Sequence, residues 1–231
     1  MRILSLSLLT AATLSLQGAA YDDGVVPQPP APFPTAFKDY QILPDSTSPD
    51  GKYALIYPRR NVLFSLKDYA LYLVTLNPFQ ILVIIPQHWS TLTANAHGSY
   101  QIIWWKDSSA VLVIQGTKWG PDKVVLATLR KGHVYLLSDL TQRVVEAATE
   151  DFKNSGAEPY NEFSNFIFYS TGNDASDWRF LNSQQIAINC ILTTDPKDII
   201  EHRWTIRFQA VLGISNNKLS NIKITRLSKA P

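Results

Sequence analysis

The sequence predicts a mainly β protein. We expect a single domain of blade-like antiparallel sheets with one short helix near 141–153, arranged as a partial, irregular propeller-like body or alternatively as a β-sandwich. Three observations carry this. Short runs rich in Val, Ile, Leu, Tyr and Trp recur through most of the chain, as strands on a buried or half-buried pleat require. Clusters of Gly, Pro, Asn, Asp and Ser separate them, supplying the backbone conformations of tight turns. Hydrophobic residues make up 45% of the 231 and charged residues 17%, which suits a chain that buries one substantial core and not a disordered one.

Residues 1–20 read MRILSLSLLTAATLSLQGAA. Arg2 precedes an apolar run over 3–16, and Gly18 and Ala20 place small side chains ahead of Tyr21. This is the pattern of a secretory signal peptide cleaved before Tyr21. No cysteine adjoins that point, so the expected product is exported to the periplasm or the extracellular space and is not a lipoprotein. No later run reaches 18 apolar residues, so membrane insertion after signal removal is not expected. Residues 21–38 follow as a proline-rich extended tether with Pro27, Pro29, Pro30, Pro32 and Pro34. Proline removes backbone donors and favours an open polyproline-like path. We expect the tether to be a spacer whose end packs onto the domain through Phe33 and Phe37.

The β-rich domain spans 39–231. Strands are expected at 52–57, 69–76 and 80–85, the last two divided by Asn77-Pro78. Further strands follow at 101–105, 110–115, 123–129 and 133–137, with Arg130-Lys131-Gly132 as a tight connection. The helix comes next: Ser138 or Asp139 caps TQRVVEAATEDFK, in which Val144, Val145, Ala148 and Phe152 form one face at helical spacing. Asn154-Ser155-Gly156 ends it. Strands return at 163–169, 184–193, 202–212 and 218–227. GISNNK makes a hairpin turn between the last two, and Ile222, Ile224 and Leu227 alternate with Lys223 and Thr225 as on a sheet with one wet face.

Two segments share an organisation. Ser48-Pro49-Asp50-Gly51-Lys52 feeds an apolar strand, and Trp105-Lys106-Asp107-Ser108-Ser109 does the same 57 residues later. The first resembles the SPDGK turn of periplasmic TolB-like and other WD-like β-propeller repeats, and the second resembles a degenerate form of that turn. The resemblance covers 48–137. It implies that each aspartate caps its turn while the following strand runs through the middle of a four-stranded blade. A third unit beginning near Trp178 lacks the Asp-Gly or Asp-Ser turn. Blades of about 40 residues close in rings of four or more; the residues after the tether could supply four compact blades, but the spacing of the turns points to nearer three, so an open body is expected, with a helix over an edge or a second chain protecting the exposed strands.

Composition also narrows function. With 21 Lys+Arg against 19 Asp+Glu, the chain lacks the basic surface that phosphate binding needs, and no nucleic-acid partner is expected. The single cysteine excludes an internal disulfide framework. Cys190, in a strand-like segment without a His or basic neighbour, reads as a buried free thiol. The chain contains no GxSxG elbow, no HExxH and no phosphate-cradling glycine loop. Asp50 and Asp107 read as turn formers. NDASD at 173–177 lacks the closing glutamate of a calcium loop, so no metal and no cofactor is expected.

The chain has six Trp and ten Tyr. Trp119, beside Lys118 in GTKWGPDK, offers an indole at a loop tip suited to a protein or a sugar ring. Trp105 and Trp89 are further binding candidates. In Trp104-Trp105 the two indoles must point to opposite sides of a strand, so one belongs to a core and the other to a surface or a second layer. His88 and His97 flank a polar loop that offers a possible acid–base or metal site. These features lead to three functional expectations. The first is an exported non-catalytic binding or scaffold protein whose partner is an envelope or secreted protein, or a glycan. The second is a hydrolase or metal-assisted enzyme acting on polysaccharide or peptide through the 87–98 loop. The third is a self-associating structural subunit.

Overall fold

The alternation of apolar runs and turns produces three antiparallel meanders laid down one after another. The computed structural model describes residues 33–59, 70–87, 99–117, 120–154, 166–170, 177–194, 205–215, 218–220 and 222–226. Met1–Pro30 is a separate unit from Ala31–Pro231, and the expected leader and most of the expected tether lie outside the described residues. The first sheet contains β1 (Tyr40–Ile42), β2 (Tyr53–Pro58), β3 (Leu71–Leu76) and β4 (Phe79–Ile85) in that spatial order. The second contains β5 (Ser99–Trp104), β6 (Ala110–Thr117), β7 (Gly120–Arg130) and β8 (His133–Asp139), again in chain order.

Helix α1 (Leu140–Asn154) leads to the third sheet, formed by β9 (Phe166–Ser170), β10 (Trp178–Asn182), β11 (Gln185–Thr194), β12 (Thr205–Ser215), β13 (Lys218–Leu219) and β14 (Lys223–Arg226). Its six strands fill only four positions. β9 and β10 share one side of β11, pairing with its far and near halves. β13 and β14 share the outer side of β12 in the same way. The expected final strand at 218–227 is therefore two short ones. Sequence reading also misses β1, too short to show alternation, and β10.

The sheets pack face to face. The run Val111-Leu112-Val113-Ile114 carries no polar alternation, which marks a strand covered on both sides. Val111, Val113, Val125 and Ala127 meet Leu55, Leu71, Leu73 and Ile85 of the first sheet. Leu112, Ile114, Val124 and Leu126 meet Ile186, Ile188, Phe208, Ala210 and Leu212 of the third. The result is three layers, one more than a β-sandwich has. Along β14 the outer face of the third sheet is wet: Ile222 and Ile224 pack inward while Lys223 and Thr225 are exposed, as their alternation predicts. On the same side Gln209 Nε2 donates to Asn189 Oδ1 at 3.1 Å.

α1 seals the seam between the second and third sheets. Leu140 and Val144 are fully buried there and Val145 packs against them. Asp139 Oδ1 accepts from the Gln142 amide at 3.2 Å, forming the N-cap. Thr141 Oγ1 accepts from the Val124 amide at 2.7 Å, which fastens the first turn of the helix to β7. The side chains of Ala148 and Phe152 lie outside the described residues.

Candidate functional site

Each meander runs up, down, up and down, so the turns from first to second strand and from third to fourth emerge at one end of the layers. The strand ends that border the connections from second to third strand, and from one sheet to the next, lie at the other.

The turn end is built on a repeated hydrogen-bond pattern. The Lys52 amide donates to Asp50 Oδ1 at 3.1 Å, and the Ser109 amide donates to Asp107 Oδ1 at 2.9 Å. The Ser48 amide reaches the Tyr53 carbonyl at 2.9 Å, and the Trp105 amide reaches the Ala110 carbonyl at 2.8 Å. Gly51 and Ser108 hold the equivalent left-handed position, with φ of 71° and 64°. Glycine takes this conformation freely, whereas serine holds it against a steric penalty. Ser108 is fixed there by its hydroxyl, which accepts from the Asp50 amide at 3.1 Å and so joins the two turns directly. A second link is Trp104, whose indole N–H donates to the Ser46 carbonyl at 2.9 Å while its ring stacks on Tyr53 at 6.1 Å.

The third sheet carries part of the same device, without the left-handed residue. The Gln184 amide donates to Asn182 Oδ1 at 2.8 Å, and the Ile214 amide donates to the Gln184 carbonyl at 2.6 Å. The matching bonds to Lys52 and Ser109 come from the amides of Leu76 and Leu129. Asparagine supplies the acceptor that aspartate supplies elsewhere, which a search for Asp-Gly or Asp-Ser cannot detect. Between this turn and β12 lies an open cleft of about 400 Å³ lined by amides and hydroxyls, including Gln185, Ser215 and Ser220. Its polar groups largely serve one another: Asn182 Nδ2 donates to Gln185 Oε1 at 2.9 Å, and the Gly213 amide donates to Ser220 Oγ at 2.8 Å.

The two aspartates are thereby committed to structure. Burial pushes the Asp50 carboxyl upward, but hydrogen bonds from Ser48, Lys52 and Ser108 outweigh it and hold its pKa at about 2. Asp107 is lowered chiefly by the Ser109 hydroxyl, against partial burial, with help from the Ser109 amide. A depressed folded pKa adds stability above the unfolded value near 3.8 and loses it as pH falls toward about 2. Thermal unfolding followed from pH 5 down to pH 2 should therefore show an acid-side loss that shrinks in Asp50→Asn. An unchanged acid limb in that variant would remove Asp50 from this role.

At the opposite end, β5, β6 and β7 align Ser99, Gly116 and Pro121 across the sheet. Gln115 is fully buried beside them, and its Nε2 donates to the Pro86 carbonyl at 2.7 Å. Gln87 Nε2 donates to the Tyr100 hydroxyl at 3.3 Å. His88, Trp89 and His97 on one segment and Lys118 and Trp119 on another lie outside the described residues. The described residues that flank both segments meet around Gln115.

Trp105 sits at the turn end, away from those flanks. It is half-buried in the seam between the second and third sheets, edge-on to Phe180 at 5.7 Å with Lys106 Nζ 5.6 Å from its ring centre. Trp104 enters the other seam. The alternation expected of the pair thus serves two different layers. Among the described residues no group of three or more His, Cys, Asp or Glu is placed to hold a metal ion. Cys190 lies on β11 opposite Phe208. Set against known proteins, the chain matches no protein-family model and no curated protein sequence.

Proposed function

We propose that this chain is an exported, non-catalytic binding or scaffold protein that holds an envelope or secreted protein, or a glycan, at the end of its sheets opposite the aspartate turns. The observation that carries the reading is the convergence around Gln115 of the residues flanking 88–98 and 118–119. Those segments hold Trp89, Lys118 and Trp119, which suit aromatic and cationic contacts to a partner. A rigid layered scaffold with recognition residues on its connections is a common division of labour. The aspartates, in contrast, are occupied in turns. The signal-like leader supports a periplasmic or extracellular location. The hydrogen bonds shared by the three turns and the face-to-face layers support an open propeller-like arrangement, in keeping with the resemblance to TolB-like repeats.

The test is a crosslinked pull-down from native envelope and extracellular extract, with the chain as bait, read by mass spectrometry alongside a glycan stain. The expected result is a saturable partner whose recovery falls when Trp119 is changed to alanine. An empty bait at high load, or a partner indifferent to Trp119→Ala, counts against the reading.

A further inference from the structure

The outer face of the first sheet is closed by the chain itself. Phe33 packs on Phe79, and Phe37 packs on Tyr40, Tyr72 and Phe79, with ring centres between 5.3 and 5.7 Å apart. The third sheet ends, by contrast, in the open cleft of about 400 Å³ between the turn that follows β10 and the end of β12. Both sides of this cleft are pinned. On one, Gly213 lets Ser220 come close: a Cβ there would lie 2.7 Å from Ser220 Oγ. That hydroxyl accepts from the Gly213 amide, and the Ser220 amide donates to the Gly213 carbonyl, both at 2.8 Å. On the other, the Gln184 carbonyl accepts from the Ile214 amide at 2.6 Å.

The chemistry of this tip differs from that of the other two. There the turn acceptors are the carboxylates of Asp50 and Asp107, with Lys52 and Lys106 beside them in the chain. Here the acceptor is the Asn182 amide, followed by Ser183, Gln184 and Gln185. The turn bond needs only the Asn182 oxygen, so it does not account for the hydroxyl and amides that follow. Every residue lining the cleft is uncharged, and Lys218, opposite Ser215 in register, is not among them. Hydrogen-bonding capacity is left over. Gln185 Oε1 accepts from Asn182 Nδ2 at 2.9 Å, which leaves Gln185 Nε2 without a partner among the described residues. The Gln184 side-chain amide and the Ser183 and Ser215 hydroxyls are in the same position, and all four residues are exposed.

We propose that this cleft binds a neutral saccharide, at the turn end of the sheets and separate from the partner site at the opposite end. Hydroxyls and primary amides each donate and accept hydrogen bonds, as the hydroxyls of a sugar require of their partners. A phosphate or carboxylate would meet no cationic donor in the lining, and a metal ion would meet no carboxylate. An extended peptide is recognised through a row of open backbone groups, whereas the amides of Gly213, Ile214 and Gln184 are already bonded within the protein. The volume falls within the range of small-molecule sites. The lining is polar and open, so water competes for each bond, and the dissociation constant should be on the order of 1 mM.

The experiment is saturation-transfer-difference NMR on the chain, with maltotriose, cellotriose and triacetylchitotriose as separate probes. The expected result is saturable binding of at least one of them. Gln184→Leu/Ser215→Leu, at exposed positions, should weaken that binding about tenfold, as the loss of two neutral hydrogen bonds does. Thr225→Leu, exposed on β14, should leave it unchanged. Ser215→Val alone is measured in parallel and should weaken it about threefold; it decides the matter if the double variant loses its β circular dichroism. No saturable binding of any of the three probes overturns the proposal. So does binding that the folded cleft variant retains in full, or that Thr225→Leu weakens as much. Tighter binding of inorganic phosphate or of acetyl-trialanine amide also overturns it, by giving the cleft to an anion or a peptide. Trp119 takes no part in these readouts, so their failure leaves the partner reading to its own test.

Discussion

Phe208→Ala should destabilise the domain by about 3–5 kcal/mol, the range for removing a fully buried aromatic side chain from a core. Phe208 is among the largest side chains with no exposure, and it lies on β12 in the seam between the second and third sheets. The buried cluster it belongs to draws on β6, β7, β10, β11 and α1. These are paired or capped elements that cannot collapse into the space without breaking their registers, so the cavity persists. At roughly 2–4 °C per kcal/mol for a chain of this size, the melting temperature should fall by about 6–20 °C. Thr225→Ala, on the wet face of the same sheet, should change stability by no more than about 0.5 kcal/mol. Equal effects from the two would mean that the seam is not where the third sheet is held.

Trp104→Ala should be the next most damaging change, at about 2–4 kcal/mol, because the side chain is half-buried and sits at the low end of the aromatic range. It carries two separable interactions between the first and second sheets: the stack on Tyr53 and the N–H bond to the Ser46 carbonyl. Trp104→Phe keeps a ring and removes the donor, so it should lose only about 1 kcal/mol. Denaturant midpoints at unchanged slope give both values. If phenylalanine proves as harmful as alanine, the hydrogen bond and not the stack joins these sheets.

How much of this was legible before the fold was known depends on the range of the cause. The helix was readable to within a residue at its start, because its signals are local: Asp139 as cap and Val144 and Val145 at helical spacing. The strands of the second sheet were readable because an uninterrupted apolar run such as Val111–Ile114 has few other uses. The third turn was not, because Asn182 replaces aspartate and the likeness shows only in the bonds made by the Gln184 amide and carbonyl. β10 was missed because Trp178-Arg179-Phe180 sits among polar residues and gains its identity only by pairing with Ile186–Ile188.

The candidate site divides along the same line. Sequence alone could nominate Trp119, Trp89, Trp105, His88 and His97 by residue type and turn context. It could not say that Trp105 belongs to a seam at the opposite end from the strand ends that flank the others, since that follows from the direction of β5 in its sheet.

What the sequence determined by itself is the mainly β class, the helix and its cap, the wet face of the last strands, and the two aspartate turns. Each rests on contacts within a few residues, or on a side-chain period that survives any arrangement of the strands. Only the tertiary structure decided that the sheets number three among the described residues, that the middle one is buried on both faces, and that Phe33 and Phe37 close the outer face of the first. These depend on which apolar surfaces meet across distant parts of the chain. Burial is non-directional, so an apolar stripe states that it will be covered and leaves the partner to the fold.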